Sequence, residues 1–593
     1  MKIALAGLMK TPSKSSQNVT EENPLSGEKP WPTATMPIEG RDAGLPAPFG
    51  SPRHPIWSLV LPFRSWCFAF GLASLLLPAS GEVLPETDPN TTTISSSNNV
   101  SWWAGVIEDG FKMPLTNGYE IDVRGDNHQN QIQPLLLSDQ GDVIWMDDPF
   151  KMRFKTGQGL LLEHTAGDPV AQTKAGNSLR DAFLYASRTY FPPTGKIPDE
   201  SLFLNPQYNT WIELMYDQNQ AGILTYAAGI KAHGFPAGVL MIDDNWQEDY
   251  GKWDFKAGRF SDPKAMLTTL HAEGFKVMLW MCPFISPDSD VYRDLANRNL
   301  LVTDASGQPA IVRWWNGASG LLDLTNPKAV AWFQSRLDYL QTTYHVDGFK
   351  FDGGDSSFYC GIKTARYASP NSQTALYGQL GLRYPLNEYR AMWKMGGQPL
   401  GERLSDKAHS WVDLRKLIPD MVLEGLMGYP FSCPDMIGGG EFTSFLPGQK
   451  IDQDLIVRSA QCQALMPMMQ FSVAPWRVLD TAHLKAVLNA VQAREQYRQY
   501  ILDLARTSAL TGEPMVRSLE YAFPHQGYER VNDQFLLGER ILVAPVLESG
   551  TSQRMVTFPN GKWKAVNGKV YQGPIVCSVS VPYGELNYFE KVN

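Results

Sequence analysis

Between residues 209 and 507, short apolar runs alternate with stretches whose apolar residues recur at helical spacing, and glycines mark several of the joins. Compact apolar runs read as buried strands, and i, i+3, i+4 recurrence reads as helices laid against them. This pattern predicts strands at 211–216, 238–242 and 276–281, with helices over 218–233 and 263–273 that end at Gly234 and Gly274. Helices over 290–297 and 327–344 follow, the second carrying Trp332, Phe333, Leu337 and Leu340 at helical spacing, and they lead to a strand over 348–351. Further helices are predicted over 375–393, 410–426, 453–465 and 483–509, with another strand beginning at Tyr429. Strand–helix units repeated over about 300 residues favour a closed parallel barrel over an open sheet.

The flanks have a different rhythm. Residues 101–203 hold short strands at 121–123, 134–137, 142–145 and 152–154, divided by Gly, Asp and Asn turns, with a hairpin at Gly157 and Gly159. Such spacing predicts an N-terminal β-sandwich. Strands return over 511–593, as at 538–547, and predict a C-terminal β-sandwich domain. The fold class is therefore α/β: a (β/α)8 TIM-type barrel over 204–510 between two β-domains.

Ahead of these, residues 1–81 read as a disordered extension ending in a leader, and Thr- and Ser-rich 82–100 as a linker. The apolar run 66–77 follows Arg64 and precedes Ala79, Ser80 and Gly81, the pattern of a secretory leader. It is short for a membrane span. Export to the periplasm or outside the cell is expected, with a start at Met36 or an uncleaved anchor accounting for its distance from Met1.

With 593 residues, several cores are expected. The net charge of -9 comes without a basic stripe, which excludes nucleic acid as the expected partner. The six cysteines include no C-x-x-C pair and the nine histidines no H-x-x-x-H pair, so nothing points to a metal; no organic cofactor is expected either. Aromatics at 11% suffice for deep cores, their commoner use, and for a platform of the kind that suits sugar rings.

The candidate chemistry lies at strand ends. Asp352 closes the 348–351 run and is followed by Gly353 and Gly354; Asp243 and Asp244 close 238–242; Trp280 lies near the end of the third strand. In a parallel barrel these ends share one rim, where active sites are built. Acids there need partners, and a polyhydroxylated ligand provides them.

These motifs resemble glycoside hydrolase family 31 over roughly residues 101–593. The likeness is strongest to its α-galactosidase and myogenesis-regulating glycosidase branch, through Ile242 to Trp246 with Tyr250 and Gly251, Trp314 to Gly317, and Leu322 to Pro327. The resemblance implies that Asp352 is the nucleophile and Asp406, shortly before Trp411-Val412-Asp413-Leu414-Arg415, the acid/base. It places Asp243, Asp244, Trp280, Trp315 and Lys350 on substrate, with Arg390 as the substrate-binding arginine and Arg403 as its rival. Where the family commonly has Trp-x-Gly-Asp, this chain has Arg403-Leu404-Ser405-Asp406. Asp435, in a variant of the family's Asp-Ile-Gly-Gly, either touches substrate or caps a turn.

What the resemblance implies is a retaining, exo-acting α-galactosidase acting on an oligosaccharide or glycoside, with its two carboxyl groups about 5–5.5 Å apart. An α-glucosidase, α-xylosidase, α-N-acetylgalactosaminidase or transglycosylase on the same scaffold, and a catalytically silent carbohydrate binder, stay open. Membrane contact is expected only if the leader is uncleaved.

Overall fold

The computed structural model describes residues 90–165 and 167–592. The expected extension and leader at 1–81 lie outside the described residues. Among those described, no helix is long and apolar enough to cross a membrane.

Eight parallel strands form the centre: β1 (Gln207–Asn209), β2 (Val239–Ile242), β3 (Lys276–Met281), β4 (Gly348–Phe351), β5 (Asn387–Tyr389), β6 (Glu402–Arg403), β7 (Ser432–Cys433) and β8 (Gln470–Phe471). They bond in the order β7-β6-β5-β4-β3-β2-β1-β8. A parallel bridge between Met436 and Gln470, with Ile437 N donating to Gln470 O at 2.7 Å, brings the two edges together.

The surrounding helices follow local rules. Pro327–Tyr344 starts where Asn326 accepts from Lys328 N, and it buries Ala329, Phe333, Leu337 and Leu340. Trp411–Leu426 starts where Ser410 accepts from Asp413 N.

Two sequence expectations fail here. Residues 211–216 are not the first strand: Trp211–Leu214 is a helical turn, and β1 lies just upstream. Nor does a helix cover 375–393; it spans Pro370–Gly381, and β5 follows. Strands β1 and β5 have only three residues each, and they carry Gln207 and Glu388 into a polar layer of the barrel. There Gln470 Nε2 donates to Gln207 Oε1 at 2.9 Å and to Glu388 Oε2 at 2.7 Å, so no apolar run marks these strands.

The N-terminal region has a four-stranded antiparallel sheet and a mixed five-stranded sheet. The first includes Thr91–Ile94, inside the segment expected to be linker, bonded antiparallel to Gly159–Glu163. In the second, Trp102–Val106, Gln131–Ser138, Asp142–Trp145 and Ala171–Lys174 are joined by Met392–Trp393 from the barrel's β5–β6 connection. This connection thus docks on the neighbouring sheet instead of forming a helix. The C-terminal strands make a single bonded six-stranded antiparallel sheet around Val556, Phe558, Trp563 and Phe589.

Candidate active site

A cavity of about 510 Å3 opens at the C-terminal rim of the barrel. It lies within the range of small-ligand pockets. Nine of the ten residues singled out from sequence line it: Asp243, Asp244, Trp280, Trp315, Lys350, Asp352, Arg390, Arg403 and Asp406. A larger hollow of about 660 Å3 beside the C-terminal domain shares none of this lining.

Asp352 follows β4 and is held on both oxygens. Arg390 Nε donates to Oδ1 at 3.1 Å and Gly353 N to the same oxygen at 2.9 Å, while Trp280 Nε1 donates to Oδ2 at 3.2 Å. Burial disfavours its charge, but Arg390, Lys350 and Arg403, with the Trp280 N–H, outweigh burial and hold the carboxyl well below the usual range. Asp352 is therefore an anion at neutral pH. The two glycines after it are steric necessities: a Cβ on Gly353, at φ +70°, would meet Phe284 at 2.7 Å, and one on Gly354 would meet Tyr377 at 2.2 Å.

The cations assigned to substrate from sequence, Lys350, Arg390 and Arg403, already have carboxylate partners. Lys350 Nζ bonds Asp243 at 2.6 Å, at the buried inner end of the cavity. Arg390 pairs with Asp355 through Nη2 at 2.7 Å and stands over the Trp315 ring at 5.8 Å. Trp315 is 49% exposed and forms a wall, whereas neighbouring Trp314 is buried against Phe284 with centroids 4.1 Å apart.

Asp406 carries a side chain 44% exposed, and Arg403 Nη1 bonds it at 2.7 Å. The same nitrogen bonds Asp435 at 2.8 Å. Of the two readings left open for Asp435, the geometry favours the turn cap. It is 0% exposed, does not line the cavity, and accepts from Lys407 N at 2.8 Å and Gly440 N at 2.9 Å. It therefore caps the turn and anchors Arg403 from behind.

Asp244 reaches the cavity with its acceptor capacity mostly used. Asn245 N, Gln247 Nε2 and Tyr250 Oη donate to it, and Asn316 Nδ2 reaches Oδ2 at 2.5 Å. Burial pushes its carboxyl up to about 7; the charge of Asp243 adds to this, and the bonds from Gln247, Asn245 and Tyr250 oppose it. A carboxyl raised in the folded state binds its proton more tightly there than in the unfolded chain. Its contribution is complete below the ordinary value near 3.8 and is lost as pH rises through about 7. Asp244→Asn is thus expected to flatten the fall in stability between about pH 4 and 7. Urea melts of both proteins across that range check it; parallel curves would remove Asp244 from the effect.

Other lining residues escaped the sequence reading. Glu108, His128 and Gln129 come from the N-terminal region, and Gln129 O accepts from Arg390 Nη1 at 2.6 Å. Trp211, Tyr216 and Phe442 form a mutually perpendicular aromatic group at the rim. No spacing rule ties Glu108 to Asp406, and the sequence reading set Trp211 at the start of a strand, whereas it follows one. Among the described residues, no cluster of three or more His, Cys, Asp or Glu is arranged to hold a metal ion.

Comparison with known proteins adds to this geometry. The family model described as "Glycosyl hydrolases family 31 TIM-barrel domain" matches residues 206–504, and "Glycosyl hydrolase family 31 C-terminal domain" matches 512–593. The chain is 34% identical to the myogenesis-regulating glycosidase of Mus musculus over 70% of this chain and 60% of that protein. It is 25% identical to alpha-xylosidase XylQ of Lactiplantibacillus pentosus over 84% of this chain and 69% of that one. Among solved structures, a Flavobacterium johnsoniae dextranase complexed with glucose superposes with a TM-score of 0.74 at 20% identity, covering 84% of this chain and 66% of its own.

Proposed function

The chain belongs to glycosyl hydrolase family 31, and we propose that it is a retaining, exo-acting α-glycosidase that removes terminal α-galactose. The observation that carries this reading is a pair of carboxylates on one cavity, each gripped by its own arginine: Asp352 by Arg390 and Asp406 by Arg403. Glycosidic cleavage with retention needs two such groups with different tasks.

In the first step an Asp352 oxygen attacks C1 while the C1–O bond breaks and protonated Asp406 gives its proton to the departing oxygen. A glycosyl–aspartate ester and a free alcohol result. In the second step Asp406, now an anion, takes a proton from water as that water attacks C1 and Asp352 leaves. The ion pair with Arg403 is the arrangement of this second step. Asp243 and Lys350 at the inner end present both an acceptor and a donor to sugar hydroxyls, and Trp280 and Trp315 present ring faces. The closed inner end favours a chain terminus over an internal sugar. The choice of galactose rests on the branch motifs at 242–246 and 314–317.

A panel of aryl α- and β-glycosides, with NMR of the first-formed sugar, tests the proposal. Cleavage of the α-galactoside with α-galactose appearing first is expected. β-Galactose first would overturn retention. Preferential cleavage of an α-xyloside or α-glucoside would reassign the sugar, and binding without turnover would make the chain a silent binder.

A further inference from the structure

We propose that Glu108, supplied by the N-terminal region, recognises the leaving group by binding a hydroxyl of the sugar that departs past Asp406; this rests on the glycosidase reading above. Glu108 lies on the 3-10 segment Ile107–Lys112, directly after the strand Trp102–Val106. The barrel pins this segment in place. Phe111 N donates to Asp420 Oδ1 at 3.0 Å, and a Cβ on Gly110 would come within 2.5 Å of the Asp420 Cα.

Glu108 Oε2 accepts from Ser405 Oγ and, at 3.2 Å, from Lys407 Nζ. These are the two residues flanking Asp406. One carboxylate from outside the barrel therefore grips the acid/base segment on both sides. Lys407 Nζ also reaches Asp420 Oδ2 at 3.4 Å, so the contact continues into the core. Glu108 Oε1 takes no hydrogen bond among the described residues, and the side chain is 34% exposed on the cavity lining.

Depth and adjacency fix what this oxygen meets. Asp243, Lys350 and Trp280 close the inner end and are buried, so the glycosyl ring sits there. Asp406 must stand beside the departing oxygen, and whatever that oxygen carries extends toward Glu108. An ionised oxygen with open lone pairs makes a short, charge-assisted bond to a hydroxyl donor. It gains nothing from an apolar aglycone and repels a phosphorylated or carboxylated one. The leaving group it selects is a neutral sugar or polyol.

The test compares the full chain with Glu108→Ala and Glu108→Gln on an α-glycosyl fluoride and on a disaccharide of the same glycosyl unit. Fluoride departs without protonation and without sugar contacts. In Glu108→Ala, kcat/KM for the disaccharide is expected to fall at least tenfold more than for the fluoride. Transfer to an added sugar acceptor should fall relative to hydrolysis, because an incoming acceptor occupies the position the leaving sugar vacates. Glu108→Gln, which keeps the shape and an acceptor for Ser405, should recover part of the disaccharide activity. Equal losses on both substrates would reduce Glu108 to a structural role, and an unchanged disaccharide rate would remove it from the site; either result overturns the proposal. A wild-type chain inert toward both substrates would sink the glycosidase reading, and this proposal with it.

Discussion

Asp352→Ala is expected to abolish turnover, with kcat falling by about 10^4-fold or more, equivalent to at least about 5.5 kcal/mol of transition-state stabilisation. The fold should survive, because Arg390 keeps its bidentate partner Asp355 and its bond to Gln129 O when the Asp352 side chain is cut back. The space left by the carboxylate admits azide. With an activated aryl α-glycoside, azide should restore cleavage and yield the β-glycosyl azide, since it attacks from the face Asp352 occupied. Rate measurements with and without azide, NMR of the product and a thermal melt of the variant together check this. A variant as active as the parent would take Asp352 out of the chemistry.

The second large effect is on stability. Arg403 is buried, and its guanidinium bonds Asp435 and Asp406 and stands 3.5 Å from Glu388. Arg403→Met leaves Asp435 and Glu388 buried without that cation, and breaking a buried pair from one side costs about 3–5 kcal/mol. Burial pushes the Asp435 carboxyl above its usual range, against the opposing pull of Arg403. Without Arg403 it rises further. A carboxyl raised in the folded state favours folding below its unfolded value and loses that contribution as pH rises, so the deficit of Arg403→Met should shrink on acidification. Adding Asp435→Asn to Arg403→Met should recover part of the loss. Urea midpoints at pH 5 and pH 8 decide it; a pH-independent deficit that Asp435→Asn leaves unchanged would refute this account.

Much of the barrel was legible because its outer layers obey simple patterns. β3 and the helix Pro327–Tyr344 matched residue for residue, since Lys276–Met281 is an apolar run and Phe333, Leu337 and Leu340 repeat at helical spacing. Strands β1, β5, β6 and β8 were not recognised, because each has two or three residues and turns a polar side chain inward: Gln207, Glu388, Arg403 or Gln470. A layer of hydrogen-bonded polar groups replaces branched aliphatics there, and hydrophobicity cannot find it. The acids at strand ends were legible for the opposite reason, as a carboxylate abruptly closing an apolar run is a strong local signal. Asp435 follows Ser432-Cys433-Pro434 and gives no such signal; it came from the family motif alone, which left substrate contact and turn cap open because it does not show which face of the turn its oxygens address. Glu108 lay beyond reach altogether, since nothing local links a residue in one domain to a loop about 300 positions later in another.

The two-residue strand Met392–Trp393, lent to the neighbouring sheet, has a consequence for how this molecule can be divided. It lies two residues beyond Arg390, and the sheet it joins runs from the turn whose Gln129 holds that arginine. Excising the leading domain would therefore open a raw sheet edge, unseat the cation beside Asp352 and take away Glu108 in one cut. The barrel here is not a cassette that can be shuffled onto new partners: its chemistry is assembled only when both halves of the chain are stitched together.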